Sequence, residues 1–214
     1  MINRTRIKIN KMKVLIACEF SQIVTEAFIK RGHDVMSCDL LPGEKGLPHY
    51  QGNVMDILNN GWDLMIAFPP CTHLAVSGAR WFETKQIEQR KAIYFFMALV
   101  NADVEKICIE NPIGIMSTLY RKPDQIIHPY YFGNNIPKST CLWLKNLPKL
   151  IHSESNNLFE KKTHVEPEYV EYNSKKTKSG KSKYSILGKL GKGKGKERSV
   201  FYKGIADAMA EQWG

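Results

Sequence analysis

The sequence predicts an α/β domain built on a mostly parallel sheet with helices on both faces. Three observations carry this reading. Short apolar runs of strand type alternate with segments of helical periodicity, a pattern that calls for parallel strands joined by right-handed crossovers. A chain of 214 residues that is 43% hydrophobic and 10% aromatic can bury a sizeable core. Polar and acidic residues follow directly on several apolar runs, where the strand ends of an open parallel sheet form a crevice.

The elements follow in order. Lys13-Val14-Leu15-Ile16-Ala17-Cys18 reads as a short buried strand. Ser21 stands as the N-cap of a helix with Ile23, Val24, Ala27 and Phe28 at helical spacing, and Gly32 ends that helix. Asp34 to Cys38 is a second strand, closed by Asp39 and followed by a Pro/Gly-rich loop from Leu41 to Gly52. A turn of helix is expected around Val54 to Leu58. Asp63 to Ala67 is a third strand that runs into Phe68-Pro69-Pro70-Cys71. Ile87 to Asn101 is a helix whose apolar face carries Ala92, Phe95, Phe96 and Leu99. Lys106 to Glu110 is a further strand, ending at Asn111-Pro112. Beyond it the pattern loosens, with one strand at Thr140 to Leu144, and Gly204 to Trp213 forms a closing amphipathic helix.

Charge is distributed unevenly. Between Ser174 and Lys196 stand nine lysines (175, 176, 178, 181, 183, 189, 192, 194 and 196) and no acid. Removing them from the formal charge of +10 leaves about +1 for the rest of the chain. The Gly-Lys alternation of residues 188–196 lacks a helical or strand period, so 174–196 is expected to be a flexible loop. Such a run is either a solubilising surface or an electrostatic tether for phosphates, and it does not read base sequence. Five cysteines lie far apart without a metal-ligand or disulfide spacing, so no metal site is expected and the environment is read as reducing. No secretory signal is visible, and no apolar run approaches the ~20 residues that span a bilayer. The expectation is a soluble, cytoplasmic protein with no membrane partner.

The strand ends hold the chemistry. They are Glu19-Phe20-Ser21, Asp39-Leu40, Phe68-Pro69-Pro70-Cys71 and Glu110-Asn111-Pro112. Asp39 can accept hydrogen bonds from a ribose diol, or it can simply cap a loop. The loop into the first helix lacks G-x-G-x-x-G, with Gln22 and Ile23 where glycines would admit a pyrophosphate. A nucleoside with a small anionic group fits better than a dinucleotide. Cys71 follows two prolines that stiffen its loop, and a thiol there needs help to ionise at neutral pH. Glu110 ends the strand expected next to it, so a thiolate and a carboxyl can face one pocket.

In this order, the motifs resemble those of DNA (cytosine-5) methyltransferases, most closely the small phage and prophage-type members that lack a full target-recognition domain. The resemblance runs through most of the chain. Glu19-Phe20-Ser21 is similar to the first motif and Asp39, with Leu40, to the acid region that holds the ribose of S-adenosylmethionine. Gly52-Asn53-Val54 resembles the motif near the adenine, Pro69-Pro70-Cys71 the nucleophile loop, and Glu110-Asn111-Pro112 the Glu-Asn motif. Gly204 to Ala210 resembles the last motif, and Thr72-His73-Leu74, Ser77 to Trp81 and Thr140 to Leu144 resemble the phage subgroup.

The resemblance implies a Rossmann-like methyltransferase fold, S-adenosylmethionine as cofactor and double-stranded DNA as partner, in a bacterial host cell if the gene is phage-borne. It implies a catalytic domain over residues 1–150 plus 198–214, with 151–197 as an extended insertion carrying the basic loop. Cys71 is then the nucleophile toward C6 of cytosine, with Glu110 and Asn111 completing the catalytic set. Glu19, Phe20, Ser21, Asp39, Leu40, Asn53, Val54 and Pro69 bind the cofactor. Arg80, Lys138 and the lysines 175, 176, 178, 181, 183, 189, 192, 194 and 196 meet the DNA. Four positions depart from the family: Gln22 replaces a glycine, Asn53 an acid, Thr72 a glutamine and Pro112 a valine. Phe68 before Pro-Pro has no acceptor for an amine, which argues against methylation of an exocyclic nitrogen. Two other readings stay open: a catalytically silent nucleic-acid-binding module, and an enzyme acting on another pyrimidine in RNA or as a free nucleotide. Tyr130-Tyr131-Phe132 is read as core packing or as a base-stacking surface, and Lys91 as a solvated helix face or a phosphate contact. Arg121-Lys122 is a further backbone-contact candidate, and His73 a candidate for orienting the base.

Overall fold

The structure is a computed structural model that describes residues 10–154, 162–173, 181–185, 187 and 201–214, the side chains of 79–81 apart. Its centre is a seven-stranded sheet. The strands in chain order are β1 (Lys13–Ala17), β2 (Asp34–Asp39), β3 (His49–Gln51), β4 (Leu64–Ala67), β5 (Lys106–Pro112), β6 (Gln125–Ile127) and β7 (Thr140–Lys145). The spatial order is β3-β2-β1-β4-β5-β7-β6. The first five are parallel, and β7 runs antiparallel to both β5 and β6. The expected α/β class with a mostly parallel sheet therefore holds. The chain reverses its direction of travel between β1 and β4, where an open sheet leaves a crevice beyond the carboxyl ends of its strands.

β1 and β4 are continuous apolar runs because both faces of the sheet are covered. Alternate residues feed two cores. Val14, Ile16, Leu64, Ile66 and Cys108 pack under helix α1 (Ile23–Lys30) and the closing helix, named α4 here (Lys203–Trp213). Leu15, Ala17, Met65, Ala67, Ile107 and Ile109 pack under helix α2 (Gln86–Val100). Phe28 and Phe96 are fully buried, one in each core, and burial of such a side chain is worth about 1.5–3 kcal/mol. Phe96 also meets Trp143 of β7 edge to face, at 5.2 Å between ring centroids. α4 is fixed by Trp213, whose indole N–H donates to Pro148 O at 2.9 Å, and by Gly204, where a Cβ would lie 1.7 Å from Phe132 O. A short helix, α3 (Met116–Leu119), follows β5.

Several expectations are corrected. Ser21 does not cap α1. The N-cap is Gln22, in the left-handed conformation at φ 55°, and the capping acceptor is the buried Glu19 carboxylate. Its oxygens accept from Val24 N at 2.7 Å, Thr25 N at 3.1 Å and Thr25 Oγ1 at 2.7 Å, which satisfies the orphan amides of the first turn. The 41–52 stretch contains β3, because Ser37 of β2 draws in Pro48 through both its backbone N–H and its hydroxyl. β6 had no sequence pattern of its own, and the helical turn at 54 is a 3-10 turn, Val54–Asp56.

The expected flexible loop over 174–196 is also corrected in part. Lys181–Ser185 is a strand, β9, paired antiparallel with β8 (Tyr169–Asn173) in a sheet of its own. Its Lys-Ser-Lys-Tyr-Ser alternation matches the period of a strand and finds a partner in Tyr169-Val170-Glu171-Tyr172-Asn173. Residues 174–180, 186 and 188–196 lie outside the described residues. The Tyr130-Tyr131-Phe132 stretch packs: Tyr131 stacks on His152 at 4.4 Å and on His164 at 4.7 Å, with His152 Nδ1 and His164 Nε2 sharing a 2.7 Å hydrogen bond. Among the described residues no helix is long and apolar enough to cross a membrane.

The Glu19 cap sets a first prediction. Glu19→Ala leaves two amides and a hydroxyl unsatisfied in the interior and should lower unfolding free energy by roughly 2–3 kcal/mol, read by urea denaturation. Glu19→Gln keeps one acceptor and should lose less. Equal stability of the alanine variant and the wild type would contradict the capping role.

Candidate active site

The register of β1, β4 and β5 brings their carboxyl ends level: Ala17 lies beside Ala67, and Ala67 beside Ile109. The loops leaving β4 and β5 are then joined by their own hydrogen bonds. Asn111 Nδ2 donates to Pro69 O at 2.8 Å, and both residues are buried. Further out, Val76 N donates to Ile113 O at 3.1 Å and Ile115 N to Leu74 O at 2.9 Å, forming a bridge between Ala75 and Gly114. The approach is so close that a Cβ on Gly114 would lie 2.2 Å from Leu74 O. Cys71 sits at the turn of the first loop, its carbonyl accepting from Leu74 N at 3.0 Å and Ala75 N at 2.9 Å. The Pro-Pro-Cys loop is thus bound on both sides to the Glu-Asn-Pro loop.

Glu110, near the carboxyl end of β5, is 8% exposed, and its Oε1 is buried with no hydrogen-bond partner. Among the described residues only His33 Nε2 and His128 Nδ1 share that condition. A buried acceptor left unmade costs about 1–3 kcal/mol, so an unpartnered carboxyl oxygen is aimed at something that can donate. Burial pushes the Glu110 carboxyl above its ordinary range, with the Lys138 cation pulling the other way. Cys71 is an exposed residue, yet desolvation around its thiol is the larger cause of a raised pKa; the Glu110 charge adds to it and Lys138 opposes it. Tyr202 is pushed up to about 12 by burial and by the Glu110 charge. Lys138 Nζ lies over the Tyr202 ring at 5.6 Å from its centroid. Cys71, Glu110, Lys138 and Tyr202 therefore share one electrostatic neighbourhood.

Other expected residues gather along the same edge. Glu19, Phe20 and Ser21 form the buried turn after β1, with Phe20 O accepting from Glu44 N at 3.0 Å. Glu19 spends its carboxylate on α1. Cys18 and Gln22, at φ 61° and 55°, hold left-handed conformations that glycine adopts more readily. The buried Gln22 amide fills the space beside them: Nε2 donates to Ser37 Oγ and Leu47 O at 3.0 Å each, and Oε1 accepts from Lys45 N at 2.8 Å. Asp39 closes β2 with Oδ1 accepting from Leu41 N at 2.9 Å, and Leu40 beside it is 74% exposed. Asn53 caps the 3-10 turn by accepting from Met55 N at 3.1 Å, while Val54 is buried.

Of the expected DNA contacts, Lys138 is at the site, and Lys181 and Lys183 are exposed on β9. Arg80 lies in the 3-10 turn Val76–Trp81 with its side chain outside the described residues, as are Lys175, Lys176, Lys178, Lys189, Lys192, Lys194 and Lys196. Arg121 is tied inward, to Asp124 at 2.7 Å and to Leu144 O at 3.1 Å, so it is not a free backbone contact. Sequence reasoning did not single out Tyr202. Its position directly before the closing helix, and beside Phe201, whose ring packs 4.6 Å from Phe68, was the available signal. No cluster of three or more His, Cys, Asp or Glu suited to a metal occurs among the described residues.

No family model matches the chain, and no curated protein sequence matches it. Among solved structures, the methyltransferase EhMeth of Entamoeba histolytica is 12% identical with a TM-score of 0.47, over 73% of this chain and 58% of that one. The bifunctional kinase-methyltransferase WbdD is 11% identical with a TM-score of 0.38, over 66% and 36%. The 16S rRNA methylase RmtB is 13% identical with a TM-score of 0.34, over 63% and 55%. This chain spans 36% to 58% of the length of these structures.

The raised Glu110 pKa fixes a sign. A carboxyl that binds its proton more tightly when folded contributes stability below its unfolded value, about 4.5, and loses it as pH rises through the folded value. Glu110→Gln removes this dependence. Melting temperatures should converge for the two proteins in acid and diverge toward neutrality in favour of the variant. A pH-independent difference would contradict a Glu110 carboxyl raised by burial.

Proposed function

We propose that the chain is an S-adenosylmethionine-dependent methyltransferase acting at C5 of cytosine in DNA, through a covalent bond from Cys71. The observation that carries this reading is the pairing of an exposed loop thiol with a buried, unpartnered Glu110 oxygen on adjacent strands, locked together by Asn111. A pyrimidine ring offers both groups a role: an electrophilic C6 for the thiol, and N3 with its neighbouring amine for the carboxyl.

The cofactor reading rests on the edge from β1 to β3. Gln22 fills the place where a pyrophosphate would need open backbone, so a dinucleotide does not fit, whereas a nucleoside does. Asp39 commits only Oδ1 to its own loop and leaves Oδ2 for a ribose hydroxyl. Leu40 offers an exposed apolar surface for a base. Asn53 and the turn Glu19-Phe20-Ser21 complete the rim. S-adenosylmethionine, when bound, supplies an electrophilic methyl group at this edge.

The residues of the chain supply the rest. In its protonated form, which burial favours, Glu110 donates to N3 of the ring and draws electron density from C6. Cys71 gives up its proton and adds through Sγ to C6, with Lys138 favouring the thiolate. The ring then carries enamine character at C5, which becomes a nucleophile toward an electrophilic carbon. Loss of the C5 proton to a base and expulsion of Cys71 restore the aromatic ring. The target must leave the base stack for this to happen. Lys138 and the lysines of 174–196 supply the phosphate contacts. The stretch between β7 and α4 is too short for a separate recognition domain, which argues for a short or weak sequence preference.

A second reading has its own observation. Burial, and after it the Glu110 charge, raise the Cys71 thiol, which disfavours the nucleophilic thiolate and suits a nucleic-acid-binding module without activity. Transfer of a labelled methyl group to cytosine-containing DNA separates the two. The wild type should label DNA, Cys71→Ala should abolish labelling, and Glu110→Gln should slow it by about 10²-fold or more. Labelling of RNA in preference to DNA moves the substrate, and absence of labelling on any nucleic acid rejects methyl transfer.

A further inference from the structure

The β8–β9 hairpin stands outside both cores, and none of its residues belongs to either apolar cluster. A two-stranded ribbon without a core is marginal on its own in water. Its two faces differ sharply. The pairing places Val170, Tyr172, Ser182 and Tyr184 on one face, and Tyr169, Glu171, Asn173, Lys181, Lys183 and Ser185 on the other. The first face carries no charge. Tyr172 and Tyr184 meet across the strands at 5.7 Å between centroids and remain 48% and 39% exposed. The second face is the one that carries the cations, with Lys183 Nζ 4.2 Å over the Tyr169 ring and Lys181 4.0 Å from Glu171.

We infer that the Tyr172–Tyr184 face of the hairpin is a stacking platform for unpaired bases of a nucleic-acid strand. Three arguments select this partner. An uncharged face of tyrosines backed by lysines asks for a ligand that is flat and apolar at one surface and anionic along its length. An exposed single strand has that composition, whereas paired bases hide their faces inside the duplex. The charge along this part of the sequence, nine lysines over 174–196 against Glu166, Glu168 and Glu171, is complementary to such a strand. A bilayer surface would call for deep apolar anchors of the Trp, Phe or Leu type, and the tyrosine hydroxyls and Ser182 of this face do not supply them. The inference rests on the proposed nucleic-acid substrate and deepens it: a base that reacts must be out of its stack, and a single strand is the form of substrate in which bases leave the stack at least cost.

The test is fluorescence anisotropy of the full chain with labelled oligothymidylate, a mixed-sequence single strand, and the blunt duplex of the latter. Tyr172→Ala/Tyr184→Ala should weaken single-strand binding by about tenfold or more while affecting the duplex less. Tyr172→Phe/Tyr184→Phe should restore it, because the phenyl ring stacks and the hydroxyl does not matter. Lys181→Ala/Lys183→Ala should instead reduce the salt dependence, by roughly 0.7 in log-log slope for each phosphate that is no longer neutralised. Unchanged single-strand affinity of the double alanine variant overturns the inference, as does an equal loss on duplex. A loss confined to phosphatidylserine vesicles assigns the face to membranes and overturns it too. Both tyrosines lie outside the cores, so an unaltered melting curve confirms that the fold survives. Methyl transfer measured in parallel keeps the claims apart: transfer with unaltered binding defeats only the platform, and lost binding without transfer by the wild type defeats only the enzyme.

Discussion

The hydrogen bond from Asn111 Nδ2 to Pro69 O is the contact on which the site depends. It is buried, it links strand ends of β4 and β5, and it uses the carbonyl of a residue whose ring has no N–H to offer the sheet. Without it the two loops would leave neighbouring strands independently, and Cys71 would have no fixed relation to Glu110. The bridge at Ala75 and Gly114 repeats the same constraint farther out. Gly114 is required there by proximity rather than by conformation, since Leu74 O occupies the volume of any side chain. Rigid strands supply the base of the site and three cross-loop hydrogen bonds supply its aim.

That geometry explains the unusual electrostatics. Strand β5 is buried on both faces, so a carboxyl at its end is desolvated before any ligand arrives, and its Oε1 has no protein donor. Cys71 and Tyr202 respond to it in the same direction, both raised in part by its charge. Lys138 is the counterweight, lowering Cys71 and Glu110 alike. A donor group placed against Glu110 Oε1 would relieve the orphan acceptor, and a neutral Glu110 would relieve the repulsion on the thiol. The two act in opposite senses on Cys71: a donor to Oε1 favours the charged carboxyl, whereas protonation of Glu110 removes the charge that raises the thiol.

Much of this was legible in the sequence, for physical reasons that can be named. β1, β4 and β5 are apolar on both faces and long enough to be read directly, and their polar terminations marked the edge that holds the site. β3, β6 and the antiparallel sense of β7 were not legible, because each is fixed by pairing with a distant strand rather than by its own pattern. The cap of α1 misled for a related reason. Ser21 is the right residue type in the right place, but Glu19 reaches farther and satisfies more donors, so the better acceptor took the role. Tyr202 could not be placed at the site without knowing that α4 folds back over β1 and α1. The Lys-rich stretch was read from its Gly-Lys end, and that reading concealed the strand alternation at 181–185.

The charge of the chain takes a different meaning from this layout. Glu19 and Glu110, the acids nearest the carboxyl edge, are both buried, and both are raised by desolvation. Desolvation disfavours the charged form of both, in Glu19 against the hydrogen bonds from the first turn of α1 and in Glu110 against the Lys138 cation. Asp39 is the acid at this edge that is only half-buried, and it stands at the far side, on β2. Lys138 is the cation whose charge acts on both Cys71 and Glu110 at this edge. On the proposed reading, basicity concentrated near 174–196 would be of little use if the edge that holds Cys71 repelled phosphates. On that reading, the burial of Glu19 and Glu110 is what makes an otherwise near-neutral domain compatible with the anionic ligand that the lysines would attract.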